Sequence, residues 1–245
     1  QNKAMSEETA YIISNMLQTT RPRALGRWAN VNGVNFAAKT GTTNFDSITM
    51  QKRHFPGNTV NDLFNEAGNN GADVVIISGG LPKSLSINTF DSFVKLISNN
   101  QAYLVVNIFG AALLKVLKYK PFAVALNAKE LSDTLFIKTD NEDDCIKGAK
   151  RLIKMGAQNV IITRGDQGAI LVNDDMMIKC KALKGEVINT VGSGDSLLAG
   201  LIDEYLKTGS FEKSIKKGVL VGCATAFSNG LANEKMIAEL SKQMR

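Results

Sequence analysis

Histidine is almost missing: the 245-residue chain holds one, His54. A His-built metal site or a Ser-His-Asp triad would have to stand on that residue. It lies in the polar string "QKRHFPGN", where a solvated loop histidine is the simpler reading. Cysteine is scarce as well. Cys145, Cys180 and Cys223 are odd in number and far apart, which suggests neither a disulfide framework nor a metal cluster. No apolar run approaches the ~20 residues of a membrane span. The opening "QNKAMSEETA" lacks the order of a signal peptide, so the cytoplasm is the expected compartment. Aromatics are thin at 7% and the lysines are scattered. The net charge of +6 therefore reads as a solvated basic surface or a match to a small anionic substrate, not as a nucleic-acid site.

What is present is an ordinary globular composition, 44% hydrophobic and 21% charged, long enough for one large domain or two small ones. Ser6 can cap a helix over 6–18, and "VNFAAKTG" suits a short strand. Periodicity then fades between Asn44 and Asn61, around Pro56-Gly57, which marks the best candidate boundary. Beyond it, β-rich runs alternate with helical patterns. "DVVIISGG", "AYLVVN", "FAVAL" and "NVIITRG" read as buried strands, and "AILVNDDMMIKC" reads as a hairpin. Between and after them lie helices near 87–97, 110–119, 127–136, 139–156, 194–207, 211–228 and 233–244. This alternation predicts an α/β fold, a three-layer doubly wound and mainly parallel sheet, with its sites at the carboxyl ends of the strands.

The stretch "INTVGSGDSLLAGLIDEYL" (188–206) sets Gly192, Ser193, Gly194 and Asp195 directly ahead of an apolar helix. The glycines permit a concave nest of backbone N–H groups, and the helix adds its positive end, so a phosphate is the natural guest. A carboxylate beside an anion site is repelled by that guest. It makes sense as a base that takes the proton of a hydroxyl attacking phosphorus. The plainer alternative is that Asp195 caps the helix and the glycines only turn the chain.

From about residue 60 onward, five strings in order resemble the ribokinase-like (PfkB-type) sugar kinases, and within them the 1-phosphofructokinase and tagatose-6-phosphate kinase branch. "NTVGSGDS" resembles the family signature. "SGGLPKS", with Ser78, Gly79 and Gly80, is similar to the sugar-side turn. "LNAKE" holds Asn127 and Glu130 in the N-x-x-E arrangement used around magnesium. "ITRGDQGAILV", with Thr163, Gly165 and Gly168, is similar to the strand-turn that lines the nucleotide. "GCATAFSNGLAN", with Asn229 and Gly230, resembles the segment near the adenine.

The resemblance implies ATP and Mg²⁺ as ligands and fructose 1-phosphate or tagatose 6-phosphate as acceptor. Asp195 would be the base, and the Gly192–Gly194 amides the anion hole. For Asn127 and Glu130, a helix cap and a solvated first-turn acid stand as the alternative. No partner among nucleic acids or membranes is implied; an exposed sheet edge would favour a homodimer.

Two departures accompany the match. The opening strand, small lid and G-G-K-G-x-N-like segment of the family are not found, so turnover could be lost and a non-catalytic nucleotide-binding fragment is a second reading. Where the branch has D-T-S-G after a strand, this chain has "NIFG", with Asn107 in place of the acid. Residues 5–44, including Lys39–Thr43 ("KTGTT"), resemble instead the end of a penicillin-binding transpeptidase, a peptide-binding piece as third reading. No S-x-x-K string precedes Lys39. The expected division is a transpeptidase-like fragment over 1–50 and the nucleotide-binding part of a sugar kinase over 51–245, joined near 44–60.

Overall fold

The structure, a computed structural model, describes residues 36–37, 74–79, 86–98 and 102–244. The expected helix over 6–18, His54, Lys39–Thr43, the junction near 44–60 and Gly80 lie outside the described residues.

Seven strands form one sheet in chain order: β1 (Phe36–Ala37), β2 (Val74–Ser78), β3 (Tyr103–Asn107), β4 (Ala123–Asn127), β5 (Asn159–Thr163), β6 (Ala169–Val172) and β7 (Met177–Cys180). The first five run parallel, and the hairpin β6–β7 closes the sheet antiparallel. The hairpin turn is set by Asn173, whose side-chain oxygen accepts from the N–H groups of Asp175 and Met176. β1 pairs with β2, Phe36 opposite Val74, so the strand expected in "VNFAAKTG" is part of this same sheet.

Strand residues alternate between two apolar layers, as the period of two requires. Val75, Val106, Leu126 and Ile162 pack under α1 (Ile87–Ser98), α2 (Gly110–Val116), α3 (Ala128–Leu135) and α4 (Glu142–Lys154). Val74, Ile76, Val105, Ala125 and Ile161 pack on the other face under α5 (Ser193–Thr208) and α6 (Phe211–Ala226), and α7 (Glu234–Ser241) ends the chain against α6. The three-layer, mainly parallel α/β architecture is therefore as the sequence pattern predicts.

α4 shows why the helices start and stop where they do. The Asn141 side chain caps its start, three acids fill its first turn, and Arg151 and Lys154 stand in its last, each complementing the helix dipole. α2 departs from expectation. It ends at Val116 and tightens into a 3-10 turn, Leu117–Tyr119, because Lys120 precedes Pro121 and turns left-handed at φ 52°.

α5 and α6 cross closely because Gly218 and Gly222 have no side chains there. A Cβ on Gly218 would lie 2.8 Å from the Leu197 carbonyl oxygen, and one on Gly222 3.1 Å from that of Ser193. The first turn of α5 thus rests directly on α6.

Candidate active site

Four strands end in polar residues at the carboxyl edge of the sheet: Ser78, Asn107, Asn127 and Thr163. Each stands two residues beyond a side chain packed under α5 and α6, so the strand period puts all four on that side of the sheet. Ser78 is register partner to Asn107, and Asn127 to Thr163. α5 begins over this row.

The first-turn acid of α5 meets two of them. Ser78 Oγ donates to Asp195 Oδ1 at 2.7 Å. Asn107 Nδ2 donates to the same Oδ1 at 3.0 Å and to Ser78 Oγ at 3.0 Å. Asp195 does not cap its own helix, since no side-chain cap bond exists at that terminus. Gly79 N–H donates to the Asn107 carbonyl at 3.1 Å and extends the β2–β3 ladder by one rung, a structural role for that glycine.

Ahead of Asp195 the backbone turns left-handed at Gly192 (φ 80°), which only glycine adopts freely. The nest differs in one donor from expectation: the Ser193 N–H is used inside the turn, on the Thr190 carbonyl at 3.1 Å. Among the described residues, the N–H groups of Gly192, Gly194 and Asp195 have no partner, and the buried Ser193 Oγ has none either. A Cβ on Gly194 would meet nothing within 4 Å. Unpaired donors, an orphaned hydroxyl and open space beside a helix start fit the oxygens of a phosphate.

Asn127 and Glu130 form a reciprocal capping box on α3. Asn127 Oδ1 accepts from the Glu130 N–H, and Glu130 Oε2 from the Asn127 N–H, each at 2.8 Å. Asn127 thus serves as the helix cap, and Glu130, read from the sequence as a solvated first-turn acid, closes the box while keeping its second carboxylate oxygen. Hard oxygens at a strand end suit a hydrated Mg²⁺ held through water. Asn127→Ala is expected to cost about 0.5–2 kcal/mol of stability in a urea melt, whatever it does to metal binding.

Thr163 and Gly165 sit at the open end of β5, and Gly165 (φ 57°) has nothing within 4 Å of a built Cβ. Gly168 differs: it is buried, and a Cβ there would lie 2.0 Å from the Cys180 carbonyl oxygen. Its place in the motif is explained by turn packing. Arg164 between them is held by Glu142 and Gln167. Lys179 pairs with the same carboxylate, and its hydrogen bond, with help from Arg164, holds Glu142 below the usual carboxylate range.

Asn229 and Gly230 are exposed in the turn after α6, and Leu231 reaches the nest, 3.3 Å from a Cβ built on Gly192. Residues 185–189 lie along the end of α6, with the Ile188 and Asn189 N–H groups donating to the Ala226 carbonyl. Val187, Ile188, Val191 and Leu231 are all exposed along this border. Sequence reasoning missed this apolar rim. Its signal was the cluster of aliphatic residues just ahead of "GSGDS", which has no buried partner strand to explain it.

Comparison with known proteins gives three findings. Residues 38–237 match a sequence model described as pfkB family carbohydrate kinase. The chain is 31% identical to the 1-phosphofructokinase of Bacillus subtilis over 173 residues, 71% of this chain and 57% of that protein. It is 29% identical over 177 residues to a tagatose-6-phosphate kinase of Staphylococcus epidermidis, 70% of this chain and 57% of that protein.

Among solved structures, phosphofructokinase-2 of Escherichia coli, in complex with potassium, superposes with a TM-score of 0.67 at 25% identity, over 75% of this chain and 63% of that one. Arabidopsis thaliana ribokinase, complexed with ribose and ATP, shares the fold at a TM-score of 0.63 and 16% identity, over 73% and 58% of the two chains. The chain thus spans less than two thirds of the length of the curated relatives it matches.

The resemblance of residues 5–44 to a transpeptidase is not borne out: the family match begins at residue 38 and runs through Lys39–Thr43. These relatives are all named as kinases, which lends no support to a non-catalytic nucleotide-binding fragment.

Proposed function

Since this chain belongs to the pfkB family of carbohydrate kinases, we propose that it transfers the terminal phosphoryl group of ATP to a hydroxyl of a hexose phosphate, fructose 1-phosphate or tagatose 6-phosphate. One observation carries this reading: the Asp195 carboxylate is held at the mouth of an amide nest, with Oδ1 bonded to Ser78 and Asn107 and Oδ2 open. Oδ2 takes the proton of the attacking hydroxyl as the bond to phosphorus forms. The Gly192, Gly194 and Asp195 N–H groups and the start of α5 face the charge of the transferring group, an arrangement whose donors are each worth about 3 kcal/mol.

Asn127 and Glu130 present oxygens to hydrated Mg²⁺, which when bound would neutralise phosphate charge. Thr163 and Gly165 line the phosphates. The rim of Val187, Ile188, Val191 and Leu231 takes the apolar face of the adenine, beside Asn229 and Gly230. A cytoplasmic location and a homodimer belong to the same reading. No helix among the described residues is long and apolar enough to cross a membrane.

The test is ADP release by the full chain with Mg-ATP and each sugar phosphate in turn. Transfer to either sugar supports the proposal, and transfer to neither sinks it. A thermal melt gives an independent reading of the nucleotide site. Mg-ADP at about a hundred times its dissociation constant should add roughly 2.7 kcal/mol, a rise of about 5–10 °C for a chain of this size. Gly194→Val is expected to abolish that rise while leaving the unliganded melt almost unchanged, because the protein leaves space there.

A further inference from the structure

We infer that Thr225, a buried residue of α6, is a positioning residue for the nucleotide: its hydroxyl fixes the turn 229–231 beside the nest. The inference rests on the proposed nucleotide site and deepens it.

Asn229, Gly230 and Leu231 make no hydrogen bond of their own among the described residues. The turn they form is pinned at its two ends. At the near end the Ser228 N–H donates to the Thr225 carbonyl at 3.1 Å. At the far end the Ala232 N–H donates to Thr225 Oγ1 at 3.2 Å, and it has no other partner among the described residues. Both pins therefore belong to one residue, and the second is its side chain. The hydroxyl spends its own hydrogen on Ser196 Oγ at 2.9 Å, beside Asp195 on α5. The next residue on α6 holds the other side of the apolar rim, because the Ala226 carbonyl receives the Ile188 and Asn189 N–H groups.

Thr225 is fully buried, and Ser196 and Ala232 are nearly so. A β-branched side chain on a helix has few χ1 choices. Its hydroxyl commonly turns back onto a carbonyl of its own helix; here it bridges α5 and the turn instead. Away from water, a broken bond of this kind finds no substitute partner. Valine has nearly the shape of threonine but no oxygen. At position 225 it would leave the Ala232 N–H unpaired and the turn held at one end. Leu231, which stands 3.3 Å from a Cβ built on Gly192, would then lose its fixed place beside the nest.

The experiment uses the full chain and the variants T225V, T225S and S214A. Ser214 is a control at the other end of α6, a buried hydroxyl that donates to the Ser210 carbonyl at 2.6 Å. In T225V, the dissociation constant of Mg-ADP by calorimetry and the KM for ATP should rise about tenfold, as for a turn in its binding position about a tenth of the time. The kcat and the KM for the sugar phosphate should stay within about twofold of the parent's. At the nucleotide concentration used for the parent, the melt shift should fall to about half. T225S keeps the hydroxyl and should restore the parent's affinity. S214A should melt lower without nucleotide but bind Mg-ADP as the parent does.

A T225V chain that melts lower yet binds Mg-ADP like the parent would overturn the inference, since Thr225 would then only hold the fold. So would T225S binding as weakly as T225V, or S214A losing affinity equally. Should T225V fail to fold, amide exchange in the parent decides: saturating Mg-ADP should slow the Ala232 N–H more than the amides of β5, and equal slowing would overturn the inference. A parent with no Mg-ADP melt shift would sink the nucleotide site and this inference together. A parent that binds Mg-ADP as here described but transfers no phosphoryl group would sink the proposed reaction alone.

Discussion

Asp195→Asn is expected to lower phosphoryl transfer by about 10²–10⁴-fold, the range of a positioned general base, while the Mg-ADP melt shift stays at least as large as in the parent. The substitution is nearly isosteric. Its amide oxygen can still accept from Ser78 and Asn107, which now hold Oδ1 at 2.7 and 3.0 Å, so the helix start should keep its place. What is lost is an oxygen able to take a proton at neutral pH. Removing the negative charge beside an anion nest also removes a repulsion, so nucleotide binding has no reason to weaken. Rate and binding should therefore separate in one variant. Turnover that survives Asp195→Asn would place the base elsewhere; loss of the melt shift would show that Asp195 builds the nest and is not simply its neighbour.

The second large effect falls on stability. Gly168→Val is expected to cost about 2–5 kcal/mol, by summing overpacking and a left-handed φ for a side chain. Gly168 sits at φ 91° and ψ −135°, and a Cβ there would lie 2.0 Å from the Cys180 carbonyl oxygen and 2.6 Å from the Ala182 nitrogen. Neither is a side-chain tip that could swing aside. Accommodation requires the β5–β6 turn or β7 to move. β7, whose only strand neighbour among the described residues is β6, is also tied down by the Lys179–Glu142 pair and by Ile178 against the core. Against a typical domain stability of about 5–15 kcal/mol, this is a large share.

Gly165→Ala is the control within the same turn. It too adopts a positive φ, of 57°, but meets open space, so its cost should be about 1–2 kcal/mol. Urea melts of the two variants measure the difference. Equal midpoints would mean that the contact with Cys180 is not what requires glycine at 168.

Much of this protein was written in local order. Runs such as "VVIIS" and "NVIIT" are buried on both faces, and their alternation with helical patterns specified a parallel α/β sheet and put its sites at the strand ends. Capping chemistry marked α4 from Asn141 onward, and "GSGDS" ahead of an apolar helix announced an anion nest with an acid in it. Each of these is a near-neighbour property, set by spacing and backbone preference, and so is visible in a string. The transpeptidase resemblance of residues 5–44 also came from local spelling, and it failed because a short motif carries no information about its partners.

What only the tertiary structure decided is which polar groups meet. Ser78, Asn107 and Asp195 are separated by 29, 88 and 117 positions in the pairs that bond. Their triangle exists because β2 and β3 share a register and because Gly218 and Gly222 let α5 settle low enough on α6 to bring Asp195 over the strand ends. The same holds for smaller corrections. Ser193 gives its N–H to Thr190 and not to the nest, and Gly168 is required by a carbonyl twelve residues away in the next hairpin strand. Spacing along the chain specifies elements and their faces. The meeting of side chains at a site depends on register and on how closely helices approach, and those are settled only when the whole core packs.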